Sequence, residues 1–205
     1  MSIPPSADAR APQRQRGRLR VAAILEAGAA AFREKGYDAV TMTEVAARSG
    51  ATFGSLYRFF PSKEALANAL LAQYAERALD RLAELAERAP TMTPAALTDA
   101  LVDFMMTLKS ERSFAMALME AGAGDGAKRE AFRAAFRANM KLILLRAFPE
   151  CDPAKAQAMT VVVLHILKGL AIATQEKPAD ARLLRAEFRD LLGLYLGSRG
   201  AEDGG

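Results

Sequence analysis

The stretch that decides the fold is "TMTEVAARSGATFGSLYRFFPSKEAL", residues 41–66. Thr41 and Glu44, three residues apart, form the pattern of a capping box, which predicts a short helix that ends at the following "SG". Thr52 can cap a second short helix. Pro61 ends that helix, because the residue before a proline is pushed out of the helical conformation. Two short helices joined by a tight turn predict a helix-turn-helix.

The second of these helices has two different faces. At 100° per residue, Leu56, Phe59 and Phe60 share one side, whereas Gly54 and Arg58 point the opposite way. A glycine inside a helix costs about 1 kcal/mol relative to alanine, and on an exposed face no neighbouring helix explains it. The pattern therefore favours a partner that approaches this face closely. An aromatic-rich core helix is the alternative interpretation.

Helical spacing of apolar residues continues on both sides of this stretch. A first helix is expected from Arg18 to the glycine at 36, with one apolar face formed by Val21, Ile24, Leu25, Gly28 and Phe32. A long fourth helix is expected from Ser62 to about Ala89. Further helices are expected at 94–109, 113–121, 128–148, 153–176 and 178–196. The predicted fold class is all-α.

Charge is unevenly distributed along the chain. Residues 1–63 contain ten basic and five acidic residues, whereas residues 64–205 contain 18 basic and 19 acidic residues. A basic N-terminal third is typical of a segment that meets a polyanion, although a solvated basic tail has the same composition.

Several function classes lack the residues they need. The chain has one cysteine, Cys151, and one histidine, His165, so we expect no disulfide framework, no metal site and no catalytic residue set. No cofactor is expected. Residues 1–17 contain no apolar leader segment, and the longest apolar run is interrupted by polar residues, so we expect a cytoplasmic protein without a membrane span.

The stretch 41–66, together with "ILEAGAAAFREKGYDAVT" before it, resembles the DNA-binding domain of the TetR family of transcriptional regulators. The family pattern is met at Gly54, Ser55, Leu56, Tyr57, Phe60, Ser62, Lys63 and Leu66. The resemblance implies contacts to double-stranded operator DNA from Thr41, Thr43, Thr52, Phe53, Gly54, Ser55, Tyr57 and Lys63. The outward Arg58 adds a group that can reach a phosphate or a guanine edge.

The resemblance also implies an organisation for the whole chain. The expected segments are a disordered basic arm (1–17), a three-helix helix-turn-helix domain (18–66), a helical bundle for effector binding and dimerisation (67–198), and a disordered tail (199–205). The last two long helices would form a homodimer, since both carry wide apolar surfaces. Burial of those surfaces inside a monomeric bundle is the alternative.

Candidate effector contacts come from a run rich in methionine and phenylalanine. Methionine adapts its shape to apolar ligands, although the same stripe also fits an ordinary core. The candidates are Phe104, Met105, Phe114, Met116, Met119 and His165. For His165, a hydrogen-bonded core or interface imidazole is the favoured interpretation and a ligand contact the other one. A small lipophilic molecule, preferably aromatic, is the predicted effector.

The leading hypothesis is a ligand-responsive repressor that binds a palindromic operator as a dimer and is released by its effector. The alternative is a dimeric helical ligand-binding or adaptor protein that no longer reads DNA. Binding to DNA from the region upstream of the protein's own gene would separate the two.

Overall fold

The computed structural model of the protein describes residues 10–202, apart from the side chains of residues 10–14, 109–110, 178 and 200–202. All regular secondary structure in this part of the chain is helical, which confirms the predicted all-α class. The described α-helices are α1 (Arg10–Lys35), α2 (Met42–Ser49), α3 (Phe53–Phe59), α4 (Lys63–Arg88), α5 (Pro94–Thr107), α6 (Lys109–Glu120), α7 (Gly126–Ala147), α8 (Pro153–Glu176) and α9 (Ala181–Glu202).

Three helix ends differ from the sequence-based expectation by four residues or more. Helix α1 begins at Arg10, so residues 10–17 are helical although they were expected in a disordered arm. Helix α6 begins at Lys109, four residues before Ser113. Helix α9 extends through Glu202 into the expected disordered tail. The expectations for residues 1–9 and 203–205 lie outside the described residues.

The chain divides into two compact units. The N-terminal unit contains the chain up to Gln73 together with Phe114–Asp125, and the C-terminal unit contains Tyr74–Ser113 and the chain from Gly126 onward. The first division lies inside α4. The return of residues 114–125 to the N-terminal unit was not expected from the sequence.

The core of the N-terminal unit is formed by α1, α2, α3 and the first turns of α4. Ile24 from α1, Val45 from α2 and Leu56 from α3 are completely buried. Leu118 and Ala123, from the late segment of this unit, belong to the same apolar cluster and are 2% and 1% exposed. This segment therefore completes the core beneath the helix-turn-helix.

The approach of α1 and α4 depends on Gly28. A Cβ atom at this position would lie 2.8 Å from Cδ2 of Leu66, which is itself completely buried. Real Cβ atoms do not approach a carbon so closely, and a buried leucine has little room to move. The glycine predicted on the inner face of α1 thus allows the close packing.

Helix α2 is capped at both ends as predicted, but with one difference. The Thr41 hydroxyl accepts a hydrogen bond from the Glu44 backbone N–H at 3.2 Å, and Gly50 adopts φ of 65° at the C-terminus. The Glu44 carboxylate does not complete the capping box, because it pairs with Lys35 at 2.8 Å and Arg48 at 2.7 Å. Two cations are stronger partners than a single backbone N–H. They also lower the pKa of Glu44, with the Lys35 hydrogen bond as the largest cause.

The core of the C-terminal unit lies between α5, α7, α8 and α9. Its completely buried side chains include Leu97, Leu101, Met140, Ile143, Val163, Leu167 and Leu192. Helix α8 is long and apolar enough to cross a membrane by length and composition alone, and 39% of its most apolar window is buried. A core helix of a globular bundle meets the same criterion, so this property is weak support for a membrane span.

Substitutions of Gly28 and Gly54 distinguish a closely packed helical glycine from an exposed one. We expect Gly28→Leu to lower the free energy of unfolding by about 1–3 kcal/mol, because the added side chain overpacks the contact with Leu66. Gly54→Ala should raise it by up to about 1 kcal/mol, since no atom lies within 4 Å of a Cβ at that position and alanine favours helix.

Urea denaturation followed by circular dichroism measures both changes. Equal stabilities of wild type and Gly28→Leu would contradict the role given to this glycine.

Candidate nucleic-acid interface and ligand cavity

Helix α3 is held so that one side is in the core and the other is open. Thr52 caps it by accepting a hydrogen bond from the Ser55 backbone N–H at 3.3 Å. Leu56 is completely buried and Phe60 is 7% exposed. On the opposite side Gly54 is exposed, and a Cβ atom added there would have no neighbour within 4 Å. The buried and exposed positions predicted from the helical wheel therefore agree with the structure at Leu56, Phe60 and Gly54.

Two aromatic residues stand on the open side of α3. Phe53 is 55% exposed and Tyr57 is 37% exposed, and their ring centroids lie 4.5 Å apart. The two rings therefore support each other in an orientation that leaves both accessible. An exposed ring can pack on a thymine methyl group, and a phenol can donate a hydrogen bond to a phosphate.

Two arginines extend the polar surface of this helix. The guanidinium of Arg58 is exposed and lies 5.0 Å from the centroid of Phe59. Arg20 of α1 donates a hydrogen bond to Oγ of Ser55 at 3.4 Å. The sequence did not predict Arg20 as a site residue. Arg16 and Arg18 lie on the same helix, because α1 begins at Arg10.

Lys63 has a structural role that the sequence did not predict. Its Nζ donates hydrogen bonds to the carbonyl oxygens of Tyr37 at 2.9 Å and Asp38 at 3.1 Å, and it lies 4.6 Å from the centroid of the Tyr37 ring. The ammonium group thus fixes the loop between α1 and α2, and one N–H remains for another acceptor. Ser62 caps α4 as expected, since its hydroxyl accepts from the Ala65 backbone N–H at 3.0 Å.

The two threonines of α2 complete the predicted contacts. Thr41 and Thr43 are both exposed. The Thr41 oxygen accepts the bond that caps α2, so its hydroxyl hydrogen remains available to an outside acceptor. The nearby carboxylates of Glu34 and Glu44 are paired with cations, which reduces their repulsion of an approaching anion. All nine residues predicted to contact DNA lie in the N-terminal unit.

The C-terminal unit contains a cavity of about 490 Å³. Side chains from α4, α5, α6, α7 and α8, together with Leu108, line it. Part of its apolar lining consists of Met105, Leu108, Val161 and Leu164. This volume is within the range of sites that enclose small organic ligands.

A row of aromatic rings forms another part of the lining. Tyr74 lies 5.9 Å from Phe132, Phe132 lies 5.8 Å from Phe136, and Phe136 lies 6.0 Å from Phe104, measured between ring centroids. These separations are typical of favourable edge and tilted contacts between rings. Burial raises the pKa of the Tyr74 phenol, and the charge of Arg112 partly offsets this rise.

Four cationic residues also line the cavity. Arg112 comes from α6, Arg133 and Arg137 from α7, and Lys168 from α8. The sequence did not predict them as site residues, since they are scattered over three helices and form no linear motif. Only packing of the helices brings them to one cavity.

The six predicted effector contacts divide between the two units. Phe104, Met105 and His165 line the cavity. His165 is exposed, and its Nδ1 lies 2.7 Å from the carbonyl oxygen of Val161, so Nδ1–H is the donor and Nε2 is left to other partners.

The other three predicted contacts belong to the N-terminal unit. Phe114 packs against that unit's core, with the Arg33 guanidinium 4.7 Å from its ring, and Met116 is 41% exposed. Met119 is partly buried. These residues are therefore not part of the cavity lining. Within residues 10–202, no group of three or more His, Cys, Asp or Glu side chains could hold a metal ion.

Sequence comparison gives one family for the N-terminal unit. Residues 24–70 match the profile of bacterial regulatory proteins of the tetR family. No curated protein shows significant sequence similarity to the chain.

Solved structures of similar fold cover most of the chain. A TerR/AcrR family transcriptional regulator from Aquifex aeolicus is 22% identical, with 86% of this chain and 99% of that chain covered and a TM-score of 0.63. A TetR-family transcriptional regulator from Streptomyces coelicolor is 25% identical, with 87% and 98% covered and a TM-score of 0.56. A complex of SmeT with triclosan is 18% identical, with 84% and 89% covered and a TM-score of 0.66.

Replacing Lys63 tests its role in the loop between α1 and α2. Lys63→Met keeps most of the aliphatic stem but removes both hydrogen bonds, so we expect the free energy of unfolding to fall by about 1–3 kcal/mol. Arg58→Met, which removes an exposed charge nearby, should change it by less than about 0.5 kcal/mol. Chemical denaturation of both variants provides the comparison, and equal stabilities would show that the lysine does not hold the loop.

Proposed function

We propose that this chain, whose residues 24–70 match the tetR family of bacterial regulatory proteins, is a repressor of that family that binds a palindromic operator as a homodimer and releases it when a small molecule occupies the cavity. The observation that carries the proposal is the open face of α3. Gly54, Phe53 and Tyr57 are exposed there, while Leu56 on the other side is completely buried.

The open face of α3 has the shape and chemistry that a major groove requires. A helix enters the groove only as far as its side chains allow, and the absence of a side chain at Gly54 lets the duplex approach the backbone. Around this point Thr52, Ser55 and Tyr57 offer hydroxyl groups to phosphates. Arg20 and Arg58 add positive charge, which supplies affinity that is independent of sequence.

Exposed apolar side chains of the last two helices support the proposed homodimer. Leu183, Leu191 and Leu194 of α9 are 69%, 51% and 75% exposed. Val162 and Ile172 of α8 are each 39% exposed. Full burial of one such side chain contributes about 1.5–3 kcal/mol, so a second copy of this surface would stabilise a dimer.

The cavity is the proposed effector site, and α4 is the proposed connection to DNA. Leu66 and Leu70 of α4 are buried in the core of the N-terminal unit, whereas Tyr74, one turn later on the same helix, lines the cavity. A ligand that displaces Tyr74 would therefore tilt a helix that carries Lys63 at its start. A hundredfold loss of operator affinity requires a coupling free energy of about 2.7 kcal/mol.

Two solved structures with a similar fold are consistent with a small-molecule effector. One is a complex of SmeT with triclosan, and another is a γ-butyrolactone receptor. The family and the similar folds are those of regulators and not of enzymes. We place the protein in the cytoplasm, where a regulator meets its operator, and interpret α8 as a core and interface helix.

Enlarging the side chain at position 54 tests the proposed DNA contact. We expect Gly54→Leu to weaken binding to DNA from the region upstream of the protein's own gene by at least tenfold, because the leucine holds the duplex away from α3. Gly54→Ala should have a smaller effect. Fluorescence anisotropy with labelled DNA measures both, and wild-type affinity in the leucine variant would contradict a close approach of the duplex to α3.

A charge on the exposed face of α9 tests the homodimer. Leu194→Glu should convert the dimer into a monomer in sedimentation equilibrium, since burial of a carboxylate in an apolar interface is unfavourable. Leu19→Glu is the matched control, because Leu19 is a 65% exposed leucine in the N-terminal unit and should leave the dimer intact. If the Leu194→Glu variant remains a dimer, the interface does not include this face of α9.

A further inference from the structure

We propose that the ligand of the cavity is an amphipathic organic anion, with an apolar and preferably aromatic body and a carboxylate or phosphate group. This inference rests on the proposed function, in which the cavity is the effector site, and it adds the chemical class of the effector. It also modifies the sequence-based expectation of a lipophilic molecule, since the body remains apolar but the molecule carries a negative charge.

Among the described residues, the lining of the cavity carries charge of one sign. Four of these side chains are cationic, namely Arg112, Arg133, Arg137 and Lys168, and none is a carboxylate. Cations that share one partly enclosed space repel each other unless an anion lies among them. An anionic ligand would remove this repulsion, whereas a cationic ligand would increase it.

The neighbouring carboxylates compensate only part of this charge. Glu130 pairs with Arg137 at 3.2 Å and with Arg133 at 3.7 Å, and all three side chains are largely exposed. Such exposed pairs contribute little and can yield to a ligand. Arg112 and Lys168 form no ion pair with any described residue, so at least two cations of the lining remain available.

The apolar part of the lining defines the body of the ligand. The row of rings from Tyr74 through Phe132 and Phe136 to Phe104 offers faces and edges to a flat ring system. Tyr74 belongs to the aromatic part of the lining and also interacts with its cationic part. It is the first ring of the row, and the charge of Arg112 partly offsets the effect of burial on the pKa of its phenol. Burial raises the pKa of its phenol, so Tyr74 stays protonated and can donate a hydrogen bond to the anionic group.

Arginine favours the proposed head groups for a geometric reason. Its guanidinium presents parallel N–H donors that match the two oxygens of a carboxylate or a phosphate. A neutral amide of the same shape has one acceptor oxygen and adds two N–H donors that would face cations. The cavity should therefore distinguish an acid from its amide although their apolar bodies are identical.

Isothermal titration of the full-length protein with four naphthalene probes tests the proposal. The probes are 1-naphthoate, 1-naphthyl phosphate, 1-naphthamide and 1-naphthylmethylammonium, which share one ring system and differ in charge. We expect at least one of the two anions to bind at least tenfold more tightly than the amide, and the ammonium to bind most weakly. The two anions also distinguish a carboxylate site from a phosphate site.

Charge variants locate the anion. Arg112→Gln and Lys168→Gln should each weaken binding of the preferred anion about tenfold, as expected for loss of a charged hydrogen-bond donor, and leave binding of 1-naphthamide unchanged. Arg88→Gln is the matched control, because Arg88 is exposed and does not line the cavity. Glu130→Gln should tighten anion binding, since it removes a competing carboxylate.

Ligand binding and DNA release are measured separately, so the two proposals can fail independently. The inference is overturned if the amide binds as tightly as both anions, if no probe binds at millimolar concentration, or if Arg112→Gln and Lys168→Gln bind the anion like wild type. An anion that binds as expected but leaves the operator complex intact would support the inference and contradict the proposed function. An amide that binds as tightly as the anions and releases DNA would support the proposed function and contradict the inference.

Discussion

The packing of Leu66 against Gly28 is the contact on which the arrangement of the N-terminal unit depends. It fixes the first turns of α4 to α1, and α1 in turn forms the core beneath α2 and α3. Lys63, three residues earlier, holds the loop between α1 and α2 from the same end of α4. The position of α3 on this unit is therefore set by where α4 begins.

The same helix gives the proposed switch its physical basis. Side chains one turn apart on α4 contribute to different environments, with Leu70 in an apolar core and Tyr74 in the lining of a cavity. In the proposed switch, a ligand that changes the position of Tyr74 would act through this helix. The aromatic row and its cations would then select the ligand.

The sequence predicted those features that depend on local patterns. The caps at Thr41, Thr52 and Ser62, the turn at Gly50 and the open position of Gly54 follow from residue type and spacing, and helix ends were mostly predicted within a few residues. Contacts between residues far apart in the sequence were mostly not predicted.

The loop contact of Lys63 and the cationic lining join residues far apart in sequence, and no local pattern indicates them. Most of the methionine and phenylalanine stripe is buried or partly buried, whereas Met116 is 41% exposed. Spacing alone, however, could not assign Phe104 and Phe114 to different units, because both residues satisfy the same helical periodicity.

The return of residues 114–125 to the N-terminal unit has a consequence for synthesis of the protein. Leu118 and Ala123 fill the core beneath the helix-turn-helix, so this unit is not a continuous piece of chain. Its core stays incomplete until the ribosome has added about 50 residues beyond Gln73, which takes about 3–10 s at ordinary rates of elongation. A nascent chain of this protein thus carries an incomplete N-terminal unit while the rest of α4 and α5 are being made. Transfer of this unit to another regulator would have to include both the chain up to Gln73 and Phe114–Asp125.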